Sequence, residues 1–303
     1  MRNFEYVAAR TIDEAVEALV SSRGPARPIA GGTDLVVQLV EGRRSVDRLV
    51  DLGRIADLRS VEVDAQGRLR LGAAAPCADV YSHPWVRRHF PILVDGTSII
   101  GSVQIQSRAS VGGNLCNAAP SADSVPALIC LGAEAVIAGP SGTRRVPVEQ
   151  FCTGPGQTVL GQGEILAALE LGPPGAHEGG CYRRFIPRNE MDIAVAGAGA
   201  LVRVDPESNI ITHARIALSA VAPTPLRVHG AEEALVGKAP GAESIFEAAS
   251  RAAAACRPIS DVRGSAEYRR HLVSVLVRRT LLVALERAGA SIQHLKGGAA
   301  VGW

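Results

Sequence analysis

The sequence predicts an α+β protein in two parts, joined by a connector at 171–180. Three observations carry this expectation. Before the connector, strand and helix periodicities alternate, first as a compact β-α-β and then as hairpins around a helical stretch. The connector, LGPPGAHEGG, holds two prolines and four glycines and has little to bury. Beyond it strands come first and helices after, the pattern of helices laid on one face of an antiparallel sheet. The expected boundaries are 1–173, with parts of about 1–55 and 56–173, then 179–288 and a tail at 289–303.

Each element has a local reason. Thr11 and Glu14 form a capping box, and Ile12, Ala15, Val16 and Leu19 make one apolar helical face that ends before Gly24. A short strand at 27–30 runs into Gly31-Gly32-Thr33-Asp34, helical period resumes at Leu35 and stops at Gly42, and RLVDL (48–52) is the next strand. LRSVEV and RLRLGA make a hairpin about the turn at 64–67. Helical segments at 77–100 are interrupted at His83-Pro84 and at Pro91, and another helix is expected from Ser121. Strands resume at AEAVIA and continue to about 171. After the connector, strands are expected at 179–186, 194–204 and 210–219, with a turn at 206–209, then helices at 228–236, 241–256 and 265–288. Trp303 is a candidate anchor for the tail.

Composition narrows the function. The 303 residues are 47% hydrophobic, 20% charged and 4% aromatic, with net charge +2, which describes a globular chain with a sizeable core. Scattered basic pairs (Arg43-Arg44, Arg144-Arg145, Arg269-Arg270, Arg278-Arg279) and few aromatics give no nucleic-acid footprint. No run of about 18 apolar residues suggests a membrane span, and the charged N-terminus does not resemble a signal peptide. A cytoplasmic location is expected. The cysteines at 77, 116, 130, 152, 181 and 256 form no C-x-x-C, so reduced thiols are expected rather than disulfides, zinc or iron–sulfur ligands. No histidine cluster, Ser-His-Asp set or paired carboxylate is apparent, and no catalytic side chain is assigned.

Two glycine segments stand out. Gly31-Gly32 lies between a strand and a helix, where backbone N–H groups converge and glycines let an anion approach, as a pyrophosphate requires. Thr33 adds a hydroxyl, and Asp34 is expected to cap the helix through the 35–37 amides. A tight turn with an Asp cap is the simpler alternative. Gly112-Gly113 repeats the chemistry beside Ser110 and Asn114, and Asp123, nine residues after that asparagine, is placed to accept from a ribose hydroxyl. Neither segment is a Walker A or G-x-G-x-x-G motif. Two separate segments suit a ligand long enough to lie across both.

AGGTDLV (30–36) and SVGGNLCNAAPSAD (110–123) resemble the paired FAD-binding signatures of the medium, or flavoprotein, subunit of the molybdenum hydroxylases, the family of carbon monoxide and xanthine dehydrogenases. YRRFIPRNEMDIAVAGAGALV (182–202), ALSAVAPTPLR (217–227) and SAEYRRHLVSVLVRR (265–279) resemble its later signatures, so the likeness spans essentially the whole chain. The resemblance implies a two-part FAD-binding domain of the vanillyl-alcohol oxidase-like (PCMH) type, then an α+β domain with an antiparallel sheet and helices. It implies that Ala30, Gly31, Gly32, Thr33 and Asp34, flanked by Ile29 and Leu35, cradle the FAD pyrophosphate together with Ser110, Val111, Gly112, Gly113 and Asn114. Ala119 joins the cofactor set, and Asp123 holds the adenosine ribose. Tyr182 to Arg188 line the flavin-side opening, and Asp192, Ile193 and Ala194 approach the isoalloxazine, with Ile193 packed near the ring. Arg184 stands where many relatives carry lysine, and an arginine keeps its charge but cannot lose its proton. A structural ion pair is the alternative for Arg188 and Asp192.

The implied cofactor is non-covalent FAD. The cysteine spacing cannot hold a 2Fe–2S cluster, so clusters and molybdenum cofactor are expected only in partners: a small 2Fe–2S subunit and a large molybdopterin-binding subunit, assembled as a dimer of heterotrimers. A stand-alone FAD reductase resembling UDP-N-acetylmuramate dehydrogenase and a non-redox nucleotide-binding module are the other readings.

Overall fold

The computed structural model describes residues 3–188 and 191–292. The anchor expected at Trp303 lies outside them. The chain opens with β1 (Glu5–Ala8), α1 (Ile12–Val20), β2 (Ala26–Ile29), α2 (Leu35–Val40) and β3 (Arg48–Asp51). The three strands form a parallel sheet in the order β1-β3-β2, with Val7 and Pro28 both opposite Val50. The capping box forms: Thr11 Oγ1 accepts the Glu14 N–H at 3.1 Å, while the Glu14 carboxylate takes the Arg10 N–H at 2.7 Å, one residue earlier than the motif predicts.

The second unit begins with β4 (Val61–Val63) and β5 (Leu69–Gly72), followed by α3 (Cys77–Ser82), α4 (Pro84–His89), α5 (Pro91–Thr97), α6 (Val103–Gln106), α7 (Val111–Cys116) and α8 (Ser124–Cys130). Pro84 and Pro91 open α4 and α5, where a missing N–H costs nothing. Strands β6 (Glu134–Gly139), β7 (Gly142–Pro147), the small pair β8 (Cys152–Gly154) and β9 (Gln157–Thr158), and β10 (Ile165–Leu171) follow. The five-stranded sheet runs β4-β5-β10-β6-β7, and its central strand β10 is almost wholly buried, as its apolar sequence ILAALEL requires. The helix expected from Ser121 starts three residues later, because 117–122 are spent on a turn with Ala118 at φ 48°.

After the connector come β11 (Glu178–Phe185), β12 (Ala196–Asp205), β13 (Ile210–Ser219), the short β14 (Leu226–Arg227), then α9 (His229–Glu233), α10 (Ala242–Ala255) and α11 (Ala266–Arg287). The strands form an antiparallel sheet in sequence order. Both faces of this sheet are covered. On β12, Ala196, Ala198, Ala200 and Val202 join the core that α10 and α11 complete. The alternate residues Gly197, Gly199 and Leu201 face the second unit: a Cβ on Gly199 would meet Pro126 and Cys130 of α8 at 3.3–3.4 Å, and Leu201 belongs to that unit's core. The sequence AGAGALV thus reads as a period of two, small where another element lies close.

Candidate functional site

The two glycine segments touch. An ideal Cβ on Gly31 would lie 1.8 Å from the carbonyl oxygen of Arg108, so only glycine lets the loop after β2 rest on the turn entering α7. A side-chain bridge reinforces the contact: Asn117 hydrogen-bonds the Asp34 carboxylate, and its Oδ1 accepts from Gln38 Nε2 at 3.4 Å. Asn117 and Gln38 were not among the expected site residues, although Asn117 lies inside the second signature.

Several expectations about these segments change. Asp34 sits at the N-cap of α2 but makes no capping bond, because its backbone is already helical and its carboxylate turns to Asn117. Gly112 and Gly113 are not in a loop; they fill the first turn of α7. Ser110 caps that helix, its Oγ accepting the Gly113 N–H at 3.0 Å rather than standing free as a donor. Gly112 is required by packing, since a Cβ there would lie 2.4 Å from the Ala73 carbonyl oxygen. Gly113 is different: it is exposed, and its absent Cβ would meet only Ser110 Oγ. Ile29 and Leu35 pack into the small core behind α2 and Val111 into the core of the second unit, so these three offer backbone, not side chain.

Asn114 links this region to the next. Its Oδ1 accepts from Ser124 Oγ at 2.7 Å and from the Ser124 N–H at 3.3 Å, fixing the start of α8 beside Asp123. Asp123 is not a free acceptor. Its Oδ1 takes the Tyr182 hydroxyl at 2.9 Å, and its Oδ2 is ion-paired to Arg184, with the two charged side chains only 9% and 8% exposed. A ribose hydroxyl has to share that carboxylate. Burial pushes the Asp123 carboxyl from its ordinary 3.8 up to about 6, against the opposing pull of Arg184 and Tyr182. Tyr182 is 3% exposed, contrary to the opening expected of it, and also meets Ser219 Oγ at 3.1 Å. Burial raises its phenol well above the usual range. Arg184 further donates to the Ile99 carbonyl at 2.8 Å. Strand alternation explains the cluster: Tyr182, Arg184 and Ser219 all point from the third sheet toward α8.

Ala119 lies in the turn above, half-buried, and Pro120 accepts the N–H of Ala220, itself at φ 63°, at 2.6 Å. Two non-glycine residues in the left-handed region, Ala118 and Ala220, therefore flank one seam. Asp192 and Ile193 are not bonded to the cluster. Asp192 Oδ1 accepts the Ile193 N–H at 2.8 Å, Arg188 lies 3.7 Å from Oδ2, and Ile193 is 49% exposed. The ion pair is present, with Arg188 exposed and Asp192 half-buried, and Ile193 presents an apolar side chain to the outside. The next residues are held from behind by buried Arg269, which donates to the Val195 carbonyl at 2.7 Å and the Ala220 carbonyl at 3.1 Å.

The site thus offers unspent backbone donors at two abutting segments. Among the described residues, the N–H groups of Gly32, Thr33, Asp34 and Gly112 donate to no protein acceptor. Unspent amides on two abutting segments, with open space beside Gly113, fit a diphosphate. The cysteines are free and burial pushes their thiols up, Cys116 to about 12. Among the described residues no cluster of metal-ligating side chains occurs, and no helix is long and apolar enough to cross a membrane.

Three main sheets and a small two-stranded one carry this double glycine seam, which suits a diphosphate-containing cofactor, and comparison with known proteins identifies the family. Residues 2–173 match the family described as the FAD binding domain in molybdopterin dehydrogenase, and residues 181–284 match the CO dehydrogenase flavoprotein C-terminal domain. The chain is 32% identical over 289 residues to the xanthine dehydrogenase FAD-binding subunit of Escherichia coli O157:H7, covering 95% of this chain and 98% of that one. It is 32% identical over 284 residues to the carbon monoxide dehydrogenase medium chain of Hydrogenophaga pseudoflava, covering 94% and 98%. The solved carbon monoxide dehydrogenase from that organism superposes with a TM-score of 0.89 at 32% identity, over 94% of this chain and 98% of that one. Quinoline 2-oxidoreductase from Pseudomonas putida 86 superposes with a TM-score of 0.87 at 28% identity, over 95% and 98%. The chain belongs to the family of FAD-binding medium subunits of the molybdenum hydroxylases.

Proposed function

We propose that this chain is the FAD-holding electron-transfer subunit of a molybdenum hydroxylase. In this reading it takes electrons from the 2Fe–2S clusters of a small subunit, which draws them from a large molybdopterin-binding subunit, and delivers them to an external acceptor. The assembly is a dimer of heterotrimers. The observation that carries the reading is the direct contact of the two glycine segments, with unspent amides, in a chain matched along nearly its full length by this family. The match at 181–284 supports it over a stand-alone reductase.

Bound FAD would supply the redox chemistry. The chain's residues bind and orient. The amides of Gly32, Thr33, Asp34 and Gly112 hold the diphosphate, and Gly113 leaves the space beside it open. Asp123, fixed between Tyr182 and Arg184, keeps the start of α8 and the third sheet in register under the ligand. Asp192 and Ile193 form the wall toward the isoalloxazine, with Ile193 excluding water by its exposed apolar face. The working division is 1–173 for cofactor binding and 179–288 for closing the site.

The test is direct. The purified chain should be yellow, and acid or heat should release all its flavin as FAD. Flavin left on the denatured chain, or FMN alone, defeats the non-covalent FAD assignment. Isolated, the chain should leave its flavin oxidised when given the hydroxylated substrate, and co-expression with the small and large subunits should restore that reduction together with iron and molybdenum.

A further inference from the structure

Away from the flavin seam, a cavity of about 250 Å³ opens where the α4–α5 corner meets the connector, the start of β11 and the end of α11. Its lining includes Arg87, Arg88, His89, Gly175, Glu178 and Arg287. The acids near it are already committed. Glu178 takes the Gly175 N–H at 3.3 Å and Arg203 at 2.9 Å. Asp95 takes Arg287 at 2.6 and 3.1 Å, and the same guanidinium donates to the Gly180 carbonyl at 2.6 Å. Arg87 and Arg88 have neither a carboxylate nor a carbonyl partner among the described residues, and the His89 ring stacks on Trp85 at 4.0 Å without a hydrogen bond of its own. Three basic side chains at the end of α4 suit the negative end of a helix. That accounts for their sign but not for a cavity beside them in which every acid is spent.

We propose that this cavity is a binding site for a compact, doubly charged oxyanion of the phosphate type, gripped by the guanidinium forks of Arg87 and Arg88 with His89 as a third donor. Its walls come from both sides of the connector, so a bound anion ties the cofactor-binding part to the third sheet and raises the stability of both by mass action.

Inorganic phosphate titrated calorimetrically into the purified full chain, at ionic strength held constant with chloride, should bind saturably. Arg87→Ala/Arg88→Ala should weaken that binding at least tenfold with flavin content unchanged. Arg278→Ala/Arg279→Ala, which removes the same charge beside a different cavity, should leave it within twofold. ADP in a parallel titration separates sources: competition with phosphate means a nucleotide's phosphate is accepted, and its absence means the free anion alone is. A chain that shows no saturable phosphate binding, or that loses it equally in both double variants, overturns the proposal.

Discussion

The two glycine pairs have similar sequences and different backbones. Gly31-Gly32 is a true loop, with Gly32 at φ 74°, whereas Gly112-Gly113 is the first turn of a helix and has no glycine in the left-handed region. Yet both divide their labour the same way. One glycine of each pair, Gly31 or Gly112, lets two stretches of the protein's own backbone meet. The other, Gly32 or Gly113, supplies either a conformation or an open space. A paired-glycine signature therefore mixes folding and binding requirements, and substitution can separate them.

The largest effects should fall on the packing glycines. Gly31→Ala and Gly112→Ala each drive a methyl group into a backbone carbonyl, which cannot move as a flexible side chain would. Each should destabilise by about 3 kcal/mol or more, read from denaturant midpoints, with flavin lost because the seam opens. Wild-type stability in either variant breaks the assignment of these two residues to packing.

Next comes the clamp below the segments. Arg184→Met leaves Asp123 buried without its cation, at a cost of about 3–5 kcal/mol at neutral pH. The sign of the pH dependence follows from the raised carboxyl. Between 3.8 and about 6 the folded chain binds the Asp123 proton more tightly than the unfolded chain does, so this group's contribution to stability falls as pH rises through that window. Removing Arg184 takes away a force that lowers the carboxyl, which extends the window upward. Unfolding at pH 5 and pH 8 should show the variant losing far more at pH 8. Equal losses at the two pH values would mean that Arg184 acts through packing rather than charge.

What the sequence made legible was local. The Thr11 cap, the prolines opening α4 and α5, the turn before β13 with Asn209 at φ 53°, and the strand-then-helix order after the connector all depend on neighbours a few residues apart. So did the position of both glycine pairs. Hidden were the relations across long separations. Tyr182 and Arg184 lie 59 and 61 residues from Asp123, and no periodicity announces that the three share a buried network. Tyr182 was expected at an opening only from the family resemblance, and it is buried because the third sheet is covered on both faces. The Asp34–Asn117–Gln38 bridge was missed for the same reason: each residue looks like an ordinary polar one until the loop after β2 settles on the turn before α7.

A smaller effect is expected at Gly32. Its φ of 74° places a left-handed residue at the loop, and an added Cβ would also crowd Ile29 and Val36 at 3.1 Å. Gly32→Ala should cost about 1–2 kcal/mol, with the fold intact by circular dichroism and FAD held more weakly. A variant that binds FAD as tightly as wild type would assign Gly32 to the turn alone.

The smallest change in stability, and the sharpest test of the comparison, belongs to Gly113. It sits in a helix, its φ is ordinary, and the only atom near an added Cβ is Ser110 Oγ at 2.9 Å. Alanine is the better helix former by up to about 1 kcal/mol, which offsets a small adjustment of the serine. Gly113→Ala should therefore melt within a few degrees of wild type. If the exposed face of that turn lies against the FAD diphosphate, the added methyl group and the shifted Ser110 cap should lower flavin affinity at least tenfold, measured as dissociation of FAD on dilution. Stability and binding then part company at this residue, as they cannot at Gly112 one position earlier. Undiminished flavin affinity in a stable Gly113→Ala chain would show that the second pair serves packing alone and that the diphosphate rests on the loop after β2.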